Sequence, residues 1–367
     1  MSQPMIASVI GDAGGAEALV PVLVSLARRG RLGSVLAGPA AWSALERGGV
    51  GFERLEASDD PGELLDRFAP AGLLTSTSWG ERPVELAFFG PARARGIPTI
   101  AVIDFWANYR SRFEGSDREL ALPDWIAVPD DRARAEAIGE GLPAERLVAL
   151  GNPNYESLLV RFRTFDGQAR AAFRERVGIR RQATMALFVS QPLRALYGDQ
   201  LGYDERSALV TVQRALEEVA EWLGHPIDLA VRAHPREESI AVPTTGSSVR
   251  VHSAAGEEAL SWAMASDLVI GMTSAVLLQA AMLGARVVSV QPNLRGPDRL
   301  PSNRLGLSVG VYHADRVPAA LYRALARPAH TQSASALHQL RLGATGATSR
   351  FAEFIDQLMR EDVGVPR

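Results

Sequence analysis

The amino-acid sequence predicts an α/β protein of two domains, each built on a parallel β-sheet. Its 367 residues exceed what one hydrophobic core usually serves, so two domains are the natural division. Short apolar runs alternate with segments of helical spacing along most of the chain. Such alternation is typical of βαβ units, whose crossover helices make neighbouring strands run parallel.

The first half contains seven short apolar runs that we interpret as strands. Helices are predicted between most of them, and the helix predicted at 82–95 has Pro83 in its first turn. A basic, mostly helical stretch at 154–177 follows and is predicted to link the two halves. The predicted strands are 5–10, 34–37, 52–55, 72–75, 98–103, 125–128 and 147–150.

The second half repeats this architecture and ends in a helical tail at 337–359. Its predicted strands are 185–189, 228–235, 249–252, 268–270, 286–290 and 306–312. The whole chain is therefore expected to comprise an N-terminal Rossmann-like domain at 1–155, a linker with a helix at 156–180, a C-terminal Rossmann-like domain at 181–345 and a helical tail at 346–367.

The composition argues against several classes of function. Hydrophobic residues make up 47% and charged residues 22%, as in an ordinary soluble protein. A net charge of −3 gives no basic field for nucleic acid, and the lack of cysteine excludes disulfides and thiolate chemistry. No signal peptide or membrane-spanning run is recognised. We expect a cytoplasmic protein without a nucleic-acid partner, and leave peripheral membrane contact open.

The segment 267–292 carries the main candidate site. An apolar strand ends at Gly271, and Thr273 and Ser274 then stand at the start of an apolar helix. Ligands bind outside the carboxyl ends of parallel strands, where a helix N-terminus with hydroxyl groups suits a phosphate. The alternative is that both hydroxyl groups only cap the helix.

Arg232 and His234 end another buried strand, on what is predicted to be the same edge of the sheet. The arginine can neutralise a phosphate, and the histidine can donate a hydrogen bond or a proton to it. A purely structural histidine is the alternative. Pro235 follows directly and prevents the strand from continuing as a central one.

The first half offers carboxylates at strand ends. Asp12 lies in a glycine-rich turn with Gly14 and Gly15, and Asp104 follows the strand at 98–103. The spacing of the glycines is not that of a dinucleotide-binding site. They could bring backbone N–H groups to a ligand, or they could only let the strand and the helix pack closely. The strand ends at Asp12, at 76–78 and at Asp104 are expected to face a cleft.

The segment 105–113, FWANYRSRF, combines aromatic residues with arginines directly behind Asp104. One interpretation is a platform for an acceptor, with Trp106 and Tyr109 as aromatic faces for a sugar or lipid and Arg110 for an anionic group. The alternative is a loop that packs on its own aromatic side chains.

The two halves, the glycine turn and the helical tail resemble the glycosyltransferase B fold, with two Rossmann-like domains facing a central cleft and a C-terminal helix that could cross back. Residues 11–21, GDAGGAEALVP, resemble the N-terminal glycine turn of that superfamily. Residues 151–153, GNP, resemble the junction of UDP-N-acetylglucosamine 2-epimerases. His234-Pro235 and Thr273-Ser274 resemble the His-Pro and Ser-Ser motifs of bacterial sialyltransferases, Kdo transferases and CDP-glycerol transferases.

The resemblance implies that these two motifs bind a nucleotide phosphate and that His234 assists its departure. Gln279 stands where relatives often carry a glutamate that holds the ribose, and this departure affects the choice of nucleotide. The nucleotide base is expected over the turn that contains Gln191, or near Gly256. The glycine-rich acidic motif of the 2-epimerases is absent from 267–292, which counts against epimerisation.

Our leading hypothesis is an inverting, metal-independent glycosyltransferase with a CMP-linked nonulosonate or Kdo-type donor. Asp104 or Asp12 would accept the proton of a hydroxyl group on a glycan, lipid-linked or protein acceptor. No cofactor is expected beyond the nucleotide-sugar co-substrate, because helix dipole, hydroxyl groups and Arg232 can hold the phosphate. The alternatives are a UDP-sugar 2-epimerase or hydrolase, and a nucleotide-sugar binding protein without activity.

Overall fold

The computed structural model describes residues 4–78, 83–115, 119–234, 237, 248–326 and 334–360. The chain divides into two compact units. The first comprises Met1–Ser157 together with Leu340–Arg367, and the second comprises Leu158–Gln339. Each unit is an α/β domain around one parallel sheet, as the alternation of apolar runs and helical segments predicts. Two parallel sheets with surrounding helices form two Rossmann-like α/β domains, which confirms the predicted fold class.

The first unit has a seven-stranded sheet in the order β3-β2-β1-β4-β5-β6-β7. All neighbouring strands run parallel. The central strands are apolar and buried on both faces, as parallel strands covered by helices must be. The strands are β1 (Ile6–Ile10), β2 (Leu32–Ala37), β3 (Glu53–Arg54), β4 (Gly72–Thr75), β5 (Thr99–Val102), β6 (Trp125–Val128) and β7 (Leu147–Ala149).

Helices cover both faces of this sheet. One core lies beneath α1 and α2, and the other lies beneath α3 and α4. The side chains of Ile10 and Val9, adjacent on β1, belong to these two different cores, as alternation along a strand requires. The helices are α1 (Ala13–Arg28), α2 (Trp42–Arg47), α3 (Pro61–Phe68), α4 (Leu86–Ala94), α5 (Asp131–Gly139) and α6 (Pro153–Arg161), which runs from the first unit into the second.

The second unit has a six-stranded parallel sheet in the order β10-β9-β8-β11-β12-β13. Its strands are β8 (Thr184–Val189), β9 (Ile227–Arg232), β10 (Val249–Ser253), β11 (Leu268–Gly271), β12 (Val287–Val290) and β13 (Val309–Val311). Its helices are α7 (Gly167–Arg176), α8 (Leu193–Tyr197), α9 (Glu205–Leu223), α10 (Ala259–Ala265), α11 (Ala275–Leu283), α12 (Pro301–Arg304) and α13 (Val317–Ala326), and α14 (Ala334–Ala344) begins here and ends in the first unit.

The last helix, α15 (Ala347–Leu358), belongs to the first unit. It packs against α1 and buries Phe351, Phe354 and Ile355 in the core beneath that helix. Asp356 on its outer face forms ion pairs with Arg29 and Arg31, which follow α1. The return of the C-terminal helix to the first half is therefore confirmed.

Several predicted bounds differ from the structure. The helix predicted from residue 82 begins at Leu86, and Pro83 precedes it, while residues 79–82 lie outside the described residues. The strand predicted at 228–235 ends at Arg232. The last strand is shorter than predicted because turns occupy the positions before Val309. Among the described residues, none of the helices combines the length and the apolar character needed to cross a bilayer.

Candidate active site

Each sheet has one point at which the strand order reverses direction. In the first unit this switch point lies between β1 and β4, and in the second unit it lies between β8 and β11. Open parallel sheets bind ligands at the carboxyl ends of the strands that flank such a point. Asp12 and Ser76 follow β1 and β4, and Gln191 and Thr273 follow β8 and β11. The chain therefore places polar side chains at both switch points.

Asp12 caps the N-terminus of α1. Its Oδ1 accepts a hydrogen bond of 2.7 Å from the backbone N–H of Gly15. Asp104, beyond the end of β5, approaches the same turn: a Cβ atom placed on Gly14 would lie 2.7 Å from Asp104 Oδ2 and 4.0 Å from Asp12 Oδ1. Two carboxylates thus share the first turn of α1, where the helix dipole favours negative charge.

This shared position raises the pKa of Asp12 to about 7. Burial is the main cause, and the negative charges of Asp104 and Glu85 add to it, while the Gly15 N–H and Arg112 act in the opposite direction. A carboxyl group with such a pKa exchanges its proton readily at neutral pH. Asp12 therefore has the property that a general base or acid needs in this pH range.

Asp104 is held by a direct ion pair. Its Oδ1 accepts a hydrogen bond of 2.8 Å from Nη1 of Arg112, a buried arginine that also donates to the Thr77 carbonyl oxygen at 2.7 Å. The backbone carbonyl oxygen of Asp104 accepts a bond of 2.8 Å from Asn152 Nδ2. The GNP segment therefore fixes the backbone that carries Asp104.

Glu85 is a third carboxylate of this group, and the sequence analysis missed it. Its side chain is buried, and its Oε1 accepts hydrogen bonds from Gly11 N, Ser78 Oγ and Ser76 Oγ. Its Oε2 is buried and has no hydrogen-bond partner among the described residues. Glu85 ties the ends of β1 and β4 together beneath Asp12. Glu85 precedes α4 and belongs to no recognisable motif, so the sequence did not indicate this role.

The aromatic platform predicted for an acceptor is wrong for Trp106 and Tyr109. Both side chains are buried, with exposed fractions of 2% and 1%. Trp106 stacks on Tyr155 with ring centroids 5.7 Å apart and donates to Asp130, while the Tyr109 hydroxyl donates to Glu136. The aromatic side chains of the loop therefore pack inside the first unit, and the polar atoms of Trp106 and Tyr109 bond to neighbouring residues.

The remaining predicted ligand-binding residues of the first unit are Arg110, Gly14 and Gly15, and their surroundings differ. Arg110 is partly exposed, and its Nε donates to Glu114 Oε1 at 2.8 Å. Gly14 is exposed at the head of α1, whereas Gly15 is buried against Ser76, which a Cβ atom on Gly15 would approach within 2.3 Å. At Gly15 the absence of a side chain serves close packing of helix and sheet.

In the second unit, Gln191 and Thr273 meet across the switch point. The Gln191 Oε1 atom accepts hydrogen bonds from Thr273 N at 2.9 Å and from Thr273 Oγ1 at 3.2 Å. Ser274 caps α11, and its Oγ accepts from Val276 N at 3.3 Å. A phosphate at this helix N-terminus would replace the Gln191 oxygen at the Thr273 donors.

Two further predicted residues lie near this helix start. Gly271 ends β11, and a Cβ atom there would lie 2.8 Å from the carbonyl oxygen of Val189, so the glycine permits the close approach of β8. Gln279 lies in the second turn of α11 and is buried. Its contact with a ribose stays a prediction.

Arg232 and His234 have partners within the second unit. Nη1 of Arg232 donates to the carbonyl oxygens of Ala254 and Glu257, at 2.6 and 2.8 Å. The backbone N–H of His234 donates to the carboxylate of Glu237, whose other oxygen accepts from Ser190 Oγ at 2.7 Å. Glu237, which the sequence analysis missed, thereby links the ends of β8 and β9. Pro235 lies outside the described residues.

The comparisons with known proteins rest on structure alone. Neither a protein-family model nor a curated protein matches the chain. The fold is similar to that of UDP-GlcNAc 2-epimerase from Neisseria meningitidis bound to UDP-GlcNAc, with a TM-score of 0.67 and 13% identity over 96% of this chain and 100% of the other. The 2-epimerase from Methanocaldococcus jannaschii gives 0.68 and 12% over 96% and 99%. A glycosyltransferase from Rickettsia africae gives 0.65 and 9% over 99% and 100%.

Proposed function

We propose that the chain is an enzyme acting on nucleotide sugars and that it transfers the sugar with inversion to an acceptor hydroxyl group. The observation that carries the proposal is the position of Asp12 at the head of α1, with a pKa of about 7 beside the ion-paired Asp104. An inverting transfer needs one general base that accepts the acceptor's proton as the new bond forms, and a pKa close to the working pH suits a carboxylate to this task. Asp12 is assigned this role.

The second unit is assigned to the donor. The N-terminus of α11, with Thr273 and Ser274, has the donors and the dipole direction that a phosphate requires. As the acceptor oxygen attacks the anomeric carbon, the bond to the nucleotide phosphate breaks and negative charge grows on the phosphate. His234 is assigned to donate a proton or a hydrogen bond to it. The order of the His-Pro and Thr-Ser motifs supports a CMP-linked nonulosonate or Kdo-type acid as the donor.

A UDP-GlcNAc 2-epimerase is the second candidate. Structures named as such are among the solved structures that share this fold over nearly their full length. Epimerisation also needs a base, so Asp12 by itself does not separate the two reactions. The acceptor does separate them, since an epimerase acts on the donor alone.

The test begins with a thermal-shift panel of CMP, CDP, UDP and GDP, because a ligand of the folded state raises the unfolding midpoint. The enzyme is then incubated with UDP-GlcNAc, and separately with CMP-linked N-acetylneuraminate or Kdo, and products are separated by chromatography. CMP release that increases with added glycan supports the transferase. Formation of the 2-epimer from UDP-GlcNAc alone supports the epimerase. Asp12→Asn should lower either activity by about 10²–10⁴-fold, and unchanged activity would remove Asp12 as the base.

A further inference from the structure

The second unit has a large cavity at the end of its sheet where the strands begin, opposite the helix start of Thr273. The cavity has a volume of about 570 Å³ and lies where β8 and β11 begin, whereas Gln191 and Thr273 follow the ends of these strands. Four arginines line it, with Asp267 and Glu175 as the acidic residues. They are Arg170 and Arg174 on α7, and Arg180 and Arg181 before β8.

The carboxylates of this region are already shared among several cations. Asp267 accepts hydrogen bonds from Arg170 Nη2 at 2.6 Å, from Arg174 Nη2 at 2.7 Å and from Met185 N at 2.8 Å. The fully buried Asp228 likewise pairs with both Arg180 and Arg250. Each carboxylate therefore pairs with two guanidinium groups. This end of the sheet keeps an excess of positive charge, although the net charge of the chain is −3.

The surroundings of Arg170 reflect this excess. Burial lowers the pKa of its guanidinium group, Asp267 opposes this, and the nearby charges of Arg174 and Arg286 lower it further. Arg181 lines the pocket, is exposed, and has no ion pair within the part of the chain that the structure describes. The excess positive charge of the pocket and the guanidinium group of Arg181 are therefore available to an anion.

We propose that this arginine pocket binds a small anion with a phosphate or diphosphate group, at a second site distinct from the α11 helix start. Guanidinium groups present paired N–H donors that match two phosphate oxygens, and they are more weakly hydrated than ammonium groups. The volume lies within the range of about 300–1,000 Å³ of small-molecule sites. The inference does not depend on the reaction proposed above, because its residues lie at the other end of β11.

The test is isothermal titration of the full chain with inorganic pyrophosphate. Arg181→Glu changes an exposed side chain at the pocket and should weaken binding at least tenfold. Arg163→Glu is the matched control, because it makes the same charge change at an exposed arginine of the same segment outside the pocket. This control should change the affinity by less than about twofold, because Arg163 does not line the pocket and salt weakens the effect of an exposed charge. Ser274→Ala changes the α11 helix start and shows how much of the binding heat comes from pyrophosphate bound there instead of in the arginine pocket.

Three results would overturn the proposal. They are no measurable binding at millimolar pyrophosphate, an equal loss in Arg163→Glu and Arg181→Glu, or a loss in Ser274→Ala that accounts for all of the binding heat. Circular dichroism of Arg181→Glu verifies that the variant is folded. If Arg181→Glu proves unfolded, Arg181→Ala replaces it with the same expected direction.

Discussion

Gly14 stands directly against Asp104, with room for a hydrogen but not for a methyl group between them. A Cβ atom on Gly14 would lie 2.7 Å from Asp104 Oδ2, well inside van der Waals contact. Asp104 has little freedom to withdraw, because Arg112 holds its other oxygen at 2.8 Å. The missing side chain at position 14 therefore lets a helix N-terminus and a carboxylate come together.

The variant Gly14→Ala tests whether this approach matters for activity. Gly14 is exposed at the start of α1, and alanine favours a helix over glycine by about 1 kcal/mol. This gain should offset part of the cost of displacing Asp104, so the variant should stay folded. The displaced Asp104 should lower turnover by about 10–100-fold, since small misplacements of reacting groups are costly. Gly139→Ala in α5, where a Cβ atom meets nothing within 4 Å, is the control and should keep full activity. Full activity in both variants would contradict the role of Asp104.

Asp12→Asn should increase stability at high pH while it removes activity. The pKa of Asp12 is raised from 3.8 to about 7 in the folded chain, so the folded state holds a proton that the unfolded state releases. Stability of the wild-type chain therefore falls as pH rises from about 4 to about 7. Asparagine does not titrate, and it can still cap α1. We expect the variant to be more stable by roughly 1–3 kcal/mol at pH 8, with little difference near pH 4.

Denaturant midpoints at pH 4.5 and pH 8 provide the measurement for Asp12→Asn. Asp60→Asn is the matched control, because Asp60 also caps a helix, α3, and is exposed. The denaturant midpoint of Asp12→Asn should exceed that of Asp60→Asn at pH 8, and this difference should shrink at pH 4.5. A variant of Asp12 that is less stable at pH 8 would show that its carboxylate is favourable there, against the assignment.

Ser274→Ala separates a capping role from phosphate binding. Loss of the cap on α11 should cost about 1 kcal/mol of stability. If the hydroxyl also contacts phosphate, the affinity for the preferred nucleotide, measured by calorimetry, should fall about tenfold, since a bond to a charged group contributes about 1.5–3 kcal/mol. Asp204→Ala removes the cap of α9 and should change stability alone. Equal nucleotide affinity in both variants would leave Ser274 as a cap.

His234→Ala should lower turnover by about 10²–10⁴-fold, with a modest change in donor affinity. The protein should stay folded, because the bond between position 234 and Glu237 comes from the backbone N–H and survives the substitution. His234→Asn keeps a hydrogen-bond donor without a proton to give, so its activity measures how far a hydrogen bond suffices. His225→Ala is the control at an exposed histidine. Near-normal turnover in both variants of His234 would exclude it from the reaction.

Much of the fold could be predicted because buried parallel strands need continuous apolar runs. The predicted strands at 185–189 and 268–270 match β8 and β11 to within one residue. The prediction was wrong at the start of α4, where Glu85 is held outside the helix by Gly11, Ser76 and Ser78. Helical spacing contains no information about a bond between residues 74 positions apart.

The candidate site could be predicted only where a strand end carries a recognisable residue. Asp12 and Asp104 were found because they follow apolar runs. The burial of Trp106 and Tyr109 could not be foreseen, since their polar atoms bind Asp130 and Glu136 on a different element. Glu237 was missed for the same reason, because its link to Ser190 spans two strands of the second unit.

The place of α15 in the first unit has a consequence for synthesis on the ribosome. Residues 1–157 emerge about 200 residues before α15 is complete, a delay of roughly 10–40 s at about 5–20 residues per second. Until then the face of α1 that binds Phe351, Phe354 and Ile355 is uncovered. The second unit ends at Gln339, before α15 begins, so its synthesis is complete earlier. We therefore expect the N-terminal unit to finish folding last, and a nascent chain to need protection from aggregation during that interval.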